Sequence, residues 1–80
     1  MRVTDMQIEG AEARATLRRR DGEIRAQVVN ATGLHEYKAG ARNEKEQAAM
    51  AKALQYALDG FHGCAGDVAS YRIAIEMLAD

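Results

Sequence analysis

The chain contains no proline, no tryptophan, a single phenylalanine and a single cysteine. One cysteine cannot close an internal disulfide, so nothing here requires an oxidising compartment. No apolar run approaches the roughly 20 residues of a membrane-spanning helix. The opening MRVTDMQIEG lacks the apolar centre of a secretory leader. These absences lead to the expectation of a cytoplasmic protein with no membrane partner. No repeat, low-complexity tract or linker divides the 80 residues, so residues 1–80 are expected to form a single domain. A chain of this size buries only about 60–65% of its unfolded surface, which limits it to one two-layer core with little room for an enclosed substrate pocket.

Charge is present in both signs but unevenly placed. The formal net charge is −1. Residues 1–42 carry eight Lys/Arg against six Asp/Glu, whereas residues 43–80 carry three against six. The basic side is almost entirely arginine, whose forked guanidinium suits carboxylate or phosphate better than lysine does.

The strongest local signal is ATLRRRDGEIRAQVV, in which Asp21-Gly22 separates two alternating runs. A two-residue loop pairs Arg20 with Glu23 and sets the register outward to Arg19–Ile24, Arg18–Arg25, Leu17–Ala26, Thr16–Gln27 and Ala15–Val28. That register places Ala13, Ala15, Leu17, Ile24, Ala26 and Val28 on one face, with Arg19 at its tip. Arg14, Thr16, Arg18, Arg20, Glu23, Arg25 and Gln27 take the other. A one-residue slip would destroy the sorting. After the turn-like NATG, LHEYKAGA reads as a third strand with His35, Tyr37 and Ala39 on one face and Glu36 and Lys38 on the other. Asn30-Ala31-Thr32 also matches a glycosylation sequon, but a turn is the reading adopted. VTDMQIE is a further candidate edge strand with imperfect alternation.

RNEKEQAAMAKALQYALDG predicts a helix. Asn43 is a natural N-cap with Glu46 three residues on, as in a capping box. Met50, Leu54, Leu58 and Phe61 form one stripe beside Ala51 and Ala57. Gly60 or Gly63 is expected to end the helix. The tail DVASYRIAIEMLAD satisfies two periods. Alternation groups Ala69, Tyr71, Ile73, Ile75 and Met77; helical spacing groups Val68, Tyr71, Ile75 and Leu78 behind an Asp67 cap. The isoleucines and the sustained alternation favour a strand, with a second helix as the alternative. The expected fold is therefore α+β: an antiparallel sheet of three to four strands with one helix packed on one face, in the order β-β-β-α-β. Small residues on the hairpin (Ala13, Ala15, Ala26) and on the helix (Ala48, Ala49, Ala51, Ala53, Ala57) would let the two layers sit close.

GFHGCAGD, residues 60–67, holds the only cysteine two residues from a histidine. His62 and Cys64 fall short of the four paired ligands of a structural zinc site. They also lack a third group to orient a Cys–His pair. A zinc-bridged dimer is the remaining metal reading. The simpler reading is a glycine turn, and no metal or cofactor is expected. Paired carboxylates, a nucleophile with its base and a phosphate-cradling loop are also missing from the sequence, so no enzymatic activity is expected. The arginine face is the stronger candidate, because a helix on one side of a sheet leaves the other side open. The expected binding residues are Arg14, Arg18, Arg19, Arg20, Glu23 and Arg25. A sheet that binds nucleic acid usually interleaves aromatic residues with its charges. None is expected on this face, and the sequence pI is about 6.1, so a protein partner is favoured and nucleic acid is the alternative. Self-association as a homodimer is compatible with the acidic C-terminal half.

Taken together, the length, the charged early hairpin LRRRDGEIRAQVV, the alanine-rich helix EKEQAAMAKALQYAL and the lack of a catalytic constellation resemble the small phage-encoded anti-CRISPR proteins. The likeness covers about residues 11–60 and is architectural, with no shared motif from which to carry a residue across. It implies a non-enzymatic inhibitor that docks on a protein complex of host or phage. The near-neutral charge departs from strongly acidic DNA mimics, so the implied mode is docking rather than mimicry.

Overall fold

The Asp21-Gly22 turn takes φ values of 51° and 77°. Both lie in the left-handed region used by two-residue hairpin loops, whose twist matches that of the flanking strands. The computed structural model describes residues 3–10, 12–59 and 67–79. Along the chain run β1 (Asp5–Glu9), β2 (Arg14–Arg20), β3 (Glu23–Asn30), β4 (Gly33–Gly40), α1 (Glu44–Asp59) and α2 (Val68–Leu78). The hairpin has the register expected from its turn, Arg20 against Glu23 through Ala15 against Val28. At the next turn the Asn30 Oδ1 accepts the Thr32 N–H at 2.9 Å, a local bond that helps reverse the chain into β4. The candidate edge strand is present as β1. The sheet is antiparallel throughout, in the order β1-β2-β3-β4.

α1 begins as its sequence predicts, with one difference. The Asn43 Oδ1 accepts the Glu46 N–H at 3.1 Å. The Glu46 carboxylate, however, reaches past the cap to accept the Gly40 N–H at 2.7 Å. The buried Gln47 side chain donates to the carbonyls of Ala41 at 2.7 Å and Gly40 at 3.2 Å. These bonds tie the end of β4 to the first turn of α1. Met50, Ala51, Leu54, Ala57 and Leu58 then face the sheet. The glycine turn expected around Gly60, Phe61, His62, Gly63 and Cys64 lies outside the described residues.

The last element corrects the sequence reading: it is a helix, so the order is β-β-β-β-α-α. Tyr71, Ala74, Ile75 and Leu78 are buried at helical spacing. Ile73 and Met77, which alternation would have placed inside, are 59% and 50% exposed. Two causes decide it. The Asp67 Oδ1 accepts the Ser70 N–H at 3.0 Å, an N-cap that satisfies one orphan donor and starts the helix. In addition, four strands at about 4.8 Å spacing are wider than one helix of about 10 Å. A single helix would leave about half of the apolar face wet. α1 lies over β3 and β4, and α2 lies beside it over β1 and β2. The Tyr71 hydroxyl donates to Asp59 at 3.4 Å, joining α2 to the end of α1. Replacing Asp67 by alanine is expected to cost about 1 kcal/mol, and by asparagine far less. The midpoint of urea unfolding read on the helical circular-dichroism signal measures both.

Alanine lines the interface between the two layers. Ala15, Ala26, Ala39 and Ala51 are all 0–1% exposed. Leu17, Ile24 and Val28 fill the sheet side, and Leu54, Leu58, Tyr71, Ile75 and Leu78 the helix side. Both helices pack on one face, and no described residue covers the opposite face of the sheet. Among the described residues no helix is long and apolar enough to cross a membrane.

Candidate functional site

Alternation along each strand decides what the open face carries. β1 contributes Asp5, Gln7 and Glu9, and β2 contributes Arg14, Thr16, Arg18 and Arg20. β3 adds Glu23, Arg25, Gln27 and Val29, and β4 adds Leu34, Glu36 and Lys38. The registers align these residues into rows across the sheet. One row reads Asp5, Arg18, Arg25, Lys38, and the next Gln7, Thr16, Gln27, Glu36. A third reads Glu9, Arg14, Val29, Leu34.

The structure brings together five of the six residues expected to bind: Arg14, Arg18, Arg20, Glu23 and Arg25. Arg19 alternates to the opposite side, facing Ile24 across the hairpin, and is half-buried. Each arginine of the open face has a carboxylate neighbour. Arg14 Nη2 lies 3.3 Å from Glu9, Arg18 Nε 3.4 Å from Asp5, and Arg25 Nε 3.0 Å from Glu23. Arg20 Nε is 3.9 Å from Asp21 in the turn. These exposed pairs contribute about 0–1 kcal/mol each, so their significance is one of charge placement rather than stability.

Arg18 directly opposes Arg25, a juxtaposition that costs free energy unless relieved. The relief comes from opposite directions. Arg18 pairs across the sheet with β1, whereas Arg25 pairs along its own strand with Glu23. Each contact engages one guanidinium nitrogen of a group with five N–H donors, which leaves donors for an incoming carboxylate or phosphate. The face as a whole holds five cations (Arg14, Arg18, Arg20, Arg25, Lys38) against four carboxylates (Asp5, Glu9, Glu23, Glu36). It is thus mixed in sign, with a basic band across β2 to β4.

Two features of this face were missed in the sequence. The first is the acidic edge: β1 supplies the carboxylates that neutralise Arg14 and Arg18, and its pairing with β2 is set far from the Asp21-Gly22 turn. The second is apolar. Val29 and Leu34 are cross-strand partners, 55% and 58% exposed, on a face that is otherwise polar. Beside Val29, a shallow depression of about 480 Å³ opens between Glu9, Ala13 and Arg14. Paired exposed apolar residues rimmed by charge are a common mark of a docking surface, although this pair is small.

Among the described residues, no group of three or more His, Cys, Asp or Glu is placed to hold a metal ion. His35, near the start of β4, bonds the Thr32 hydroxyl of the β3–β4 turn at 2.6 Å. No protein-family model matches the chain, and no curated protein or solved structure is significantly similar to it.

Proposed function

We propose that this protein is a non-enzymatic binding module of the cytoplasm that docks on a partner protein through the open face of its sheet. In keeping with the resemblance to anti-CRISPR proteins, the partner would be a host defence complex that the docked chain inhibits. The observation that carries the reading is the makeup of the face. An apolar pair, Val29 and Leu34, sits beside arginines whose charges are already balanced by Asp5, Glu9 and Glu23. Arginine and apolar anchors within a mixed polar surround are typical of protein interfaces. A phosphate backbone is better served by an uncompensated basic surface.

The test is capture of partners from the host by the wild-type chain, followed by titration of the captured protein against Arg18→Glu/Arg25→Glu. Binding should weaken roughly ten-fold or more, in the order-of-magnitude range of an interface hot spot. Thermal stability should fall by only about 1 kcal/mol, because both side chains are exposed although the new carboxylates lie beside Asp5 and Glu23. Lys52→Glu, on the outer side of α1, should bind as the wild type does. Undiminished binding by the double variant would overturn the proposal. Affinity for single- or double-stranded nucleic acid that falls steeply with added salt would replace it with the nucleic-acid reading.

A further inference from the structure

β4 is an edge strand of eight residues, paired on one side only. The phase of its hydrogen bonds follows from the two-residue turns. Gly33, His35, Tyr37 and Ala39 face β3, while Leu34, Glu36, Lys38 and Gly40 turn their backbone N–H and C=O groups outward. Two observed bonds agree with that phase. The Ala41 N–H continues the ladder to the Gly22 carbonyl at 3.0 Å, and the outward Gly40 N–H is taken by Glu46. Along the rest of the edge, Leu34, Glu36 and Lys38 present their backbone groups in an unbroken register. Edges of this length are usually shortened, bulged or interrupted by proline, because they template strand addition. This one has neither proline nor bulge.

We propose that this edge is a self-association surface, on which a second copy of the chain adds its own β4 antiparallel about a two-fold axis through Tyr37. Charge selects both the occupant and the register. With Tyr37 opposite its symmetry mate, Glu36 of each copy faces Lys38 of the other, and the outward backbone groups of both residues pair. Shifting the axis to Glu36 would gain hydrogen bonds at Leu34 but set Glu36 against Glu36, which is unfavourable. Among the described residues no ion pair engages Lys38, and Glu36 meets only the Gln27 amide at 3.4 Å. Neither charge therefore has an ionic partner among the described residues of its own chain. The β1 edge behaves differently, since antiparallel self-pairing there would bring Asp5 and Glu9 together.

The flank of α1 suits the same axis. A groove of about 430 Å³ runs between β4 and α1, lined by Tyr37, Ala49, Met50 and Ala53. A two-fold axis perpendicular to the sheet keeps both α1 helices on one side, with their grooves facing each other. Ala49 and Ala53 are small enough to let the helices approach above the Tyr37 pair. The 84%-exposed Tyr56 lies one turn beyond Ala53. The result is a closed dimer with a continuous eight-stranded sheet, which duplicates the open face.

Sedimentation equilibrium over a concentration series tests this directly. The wild type should be a dimer. Glu36→Lys and Lys38→Glu, each alone, should raise the dissociation constant roughly ten-fold or more, because each places two like pairs across the axis. An equimolar mixture of the two variants should restore association. At positions 36 and 38 the first variant then carries only lysine and the second only glutamate, so both pairs across the axis are of opposite charge. Circular dichroism should show both variants folded. A wild type that stays monomeric at its highest soluble concentration would overturn the proposal, as would association unaffected by either variant. Growth beyond a dimer would overturn it too, and would point to β1 adding head-to-tail on β4.

Discussion

Replacing Ile75 by alanine is expected to remove about 2–5 kcal/mol of stability, whereas the same change at Ile73 should shift it by less than about 0.5 kcal/mol. Ile75 is fully buried on the side of α2 that meets the sheet, and Ile73 is 59% exposed on its outer side. Deleting buried methyl groups forfeits their transfer free energy and leaves a cavity that the surroundings only partly close. At Ile73 there is little burial to lose, and alanine is the better helix former by a few tenths of a kcal/mol. A domain of this size has about 4–12 kcal/mol in total, so the Ile75 variant loses a large share of it. Urea denaturation of the two variants measures the difference. Equal losses would mean that both isoleucines are buried, as in a strand, and would contradict the helical assignment.

That contrast also marks where the sequence was ambiguous. The β2–β3 register was readable because turn chemistry and alternation are local, and both pointed to Asp21-Gly22. The assignment of Tyr37 and Ala39 to the helix-facing side followed from the same alternation. Residues 68–78 carried two apolar patterns at once, since Ile73 and Met77 are apolar without being buried. The Asp67 cap is a local cue for the helix, but the width of the sheet, which is not local, also bears on the choice. Once β1 joins the sheet, the apolar face is too wide for α1 alone, and only a second helix can cover β1 and β2. The pairing of β1 and the helical state of residues 68–78 therefore depend on each other.

The candidate site was legible to the same extent. Arg14, Arg18, Arg20, Glu23 and Arg25 could be placed on one face because the hairpin register is local. The carboxylates that balance Arg14 and Arg18 could not, since they come from a strand whose pairing is set by the sheet as a whole. Nor did alternation alone reveal Val29 and Leu34 as an exposed pair. Val29 follows the buried Val28 in an apolar dipeptide, and its outward position becomes visible only when Leu34 lies across from it.

The alanines between the layers lead to an expectation opposite to the one that propensity suggests. Ala26→Leu adds a larger apolar side chain to a central strand, where alanine is a poor strand former. Ala51→Leu keeps a good helix former in α1. If space were available, three buried methylene-sized groups would add about 2 kcal/mol at either site. The geometry indicates otherwise. Ala15, Ala26, Ala39 and Ala51 are closed to solvent although their side chains are single methyl groups. Each methyl is already closed off by the opposing layer, so larger side chains must displace a helix or leave their preferred rotamers. Each substitution is expected to cost about 1–3 kcal/mol, a drop in melting temperature of at least about 4 °C for a domain of this size. Ala69→Leu, on the exposed side of α2, should change it little. A rise in melting temperature for Ala26→Leu or Ala51→Leu would mean that the layers stand far enough apart to hold a leucine. The alanine content would then reflect something other than close packing.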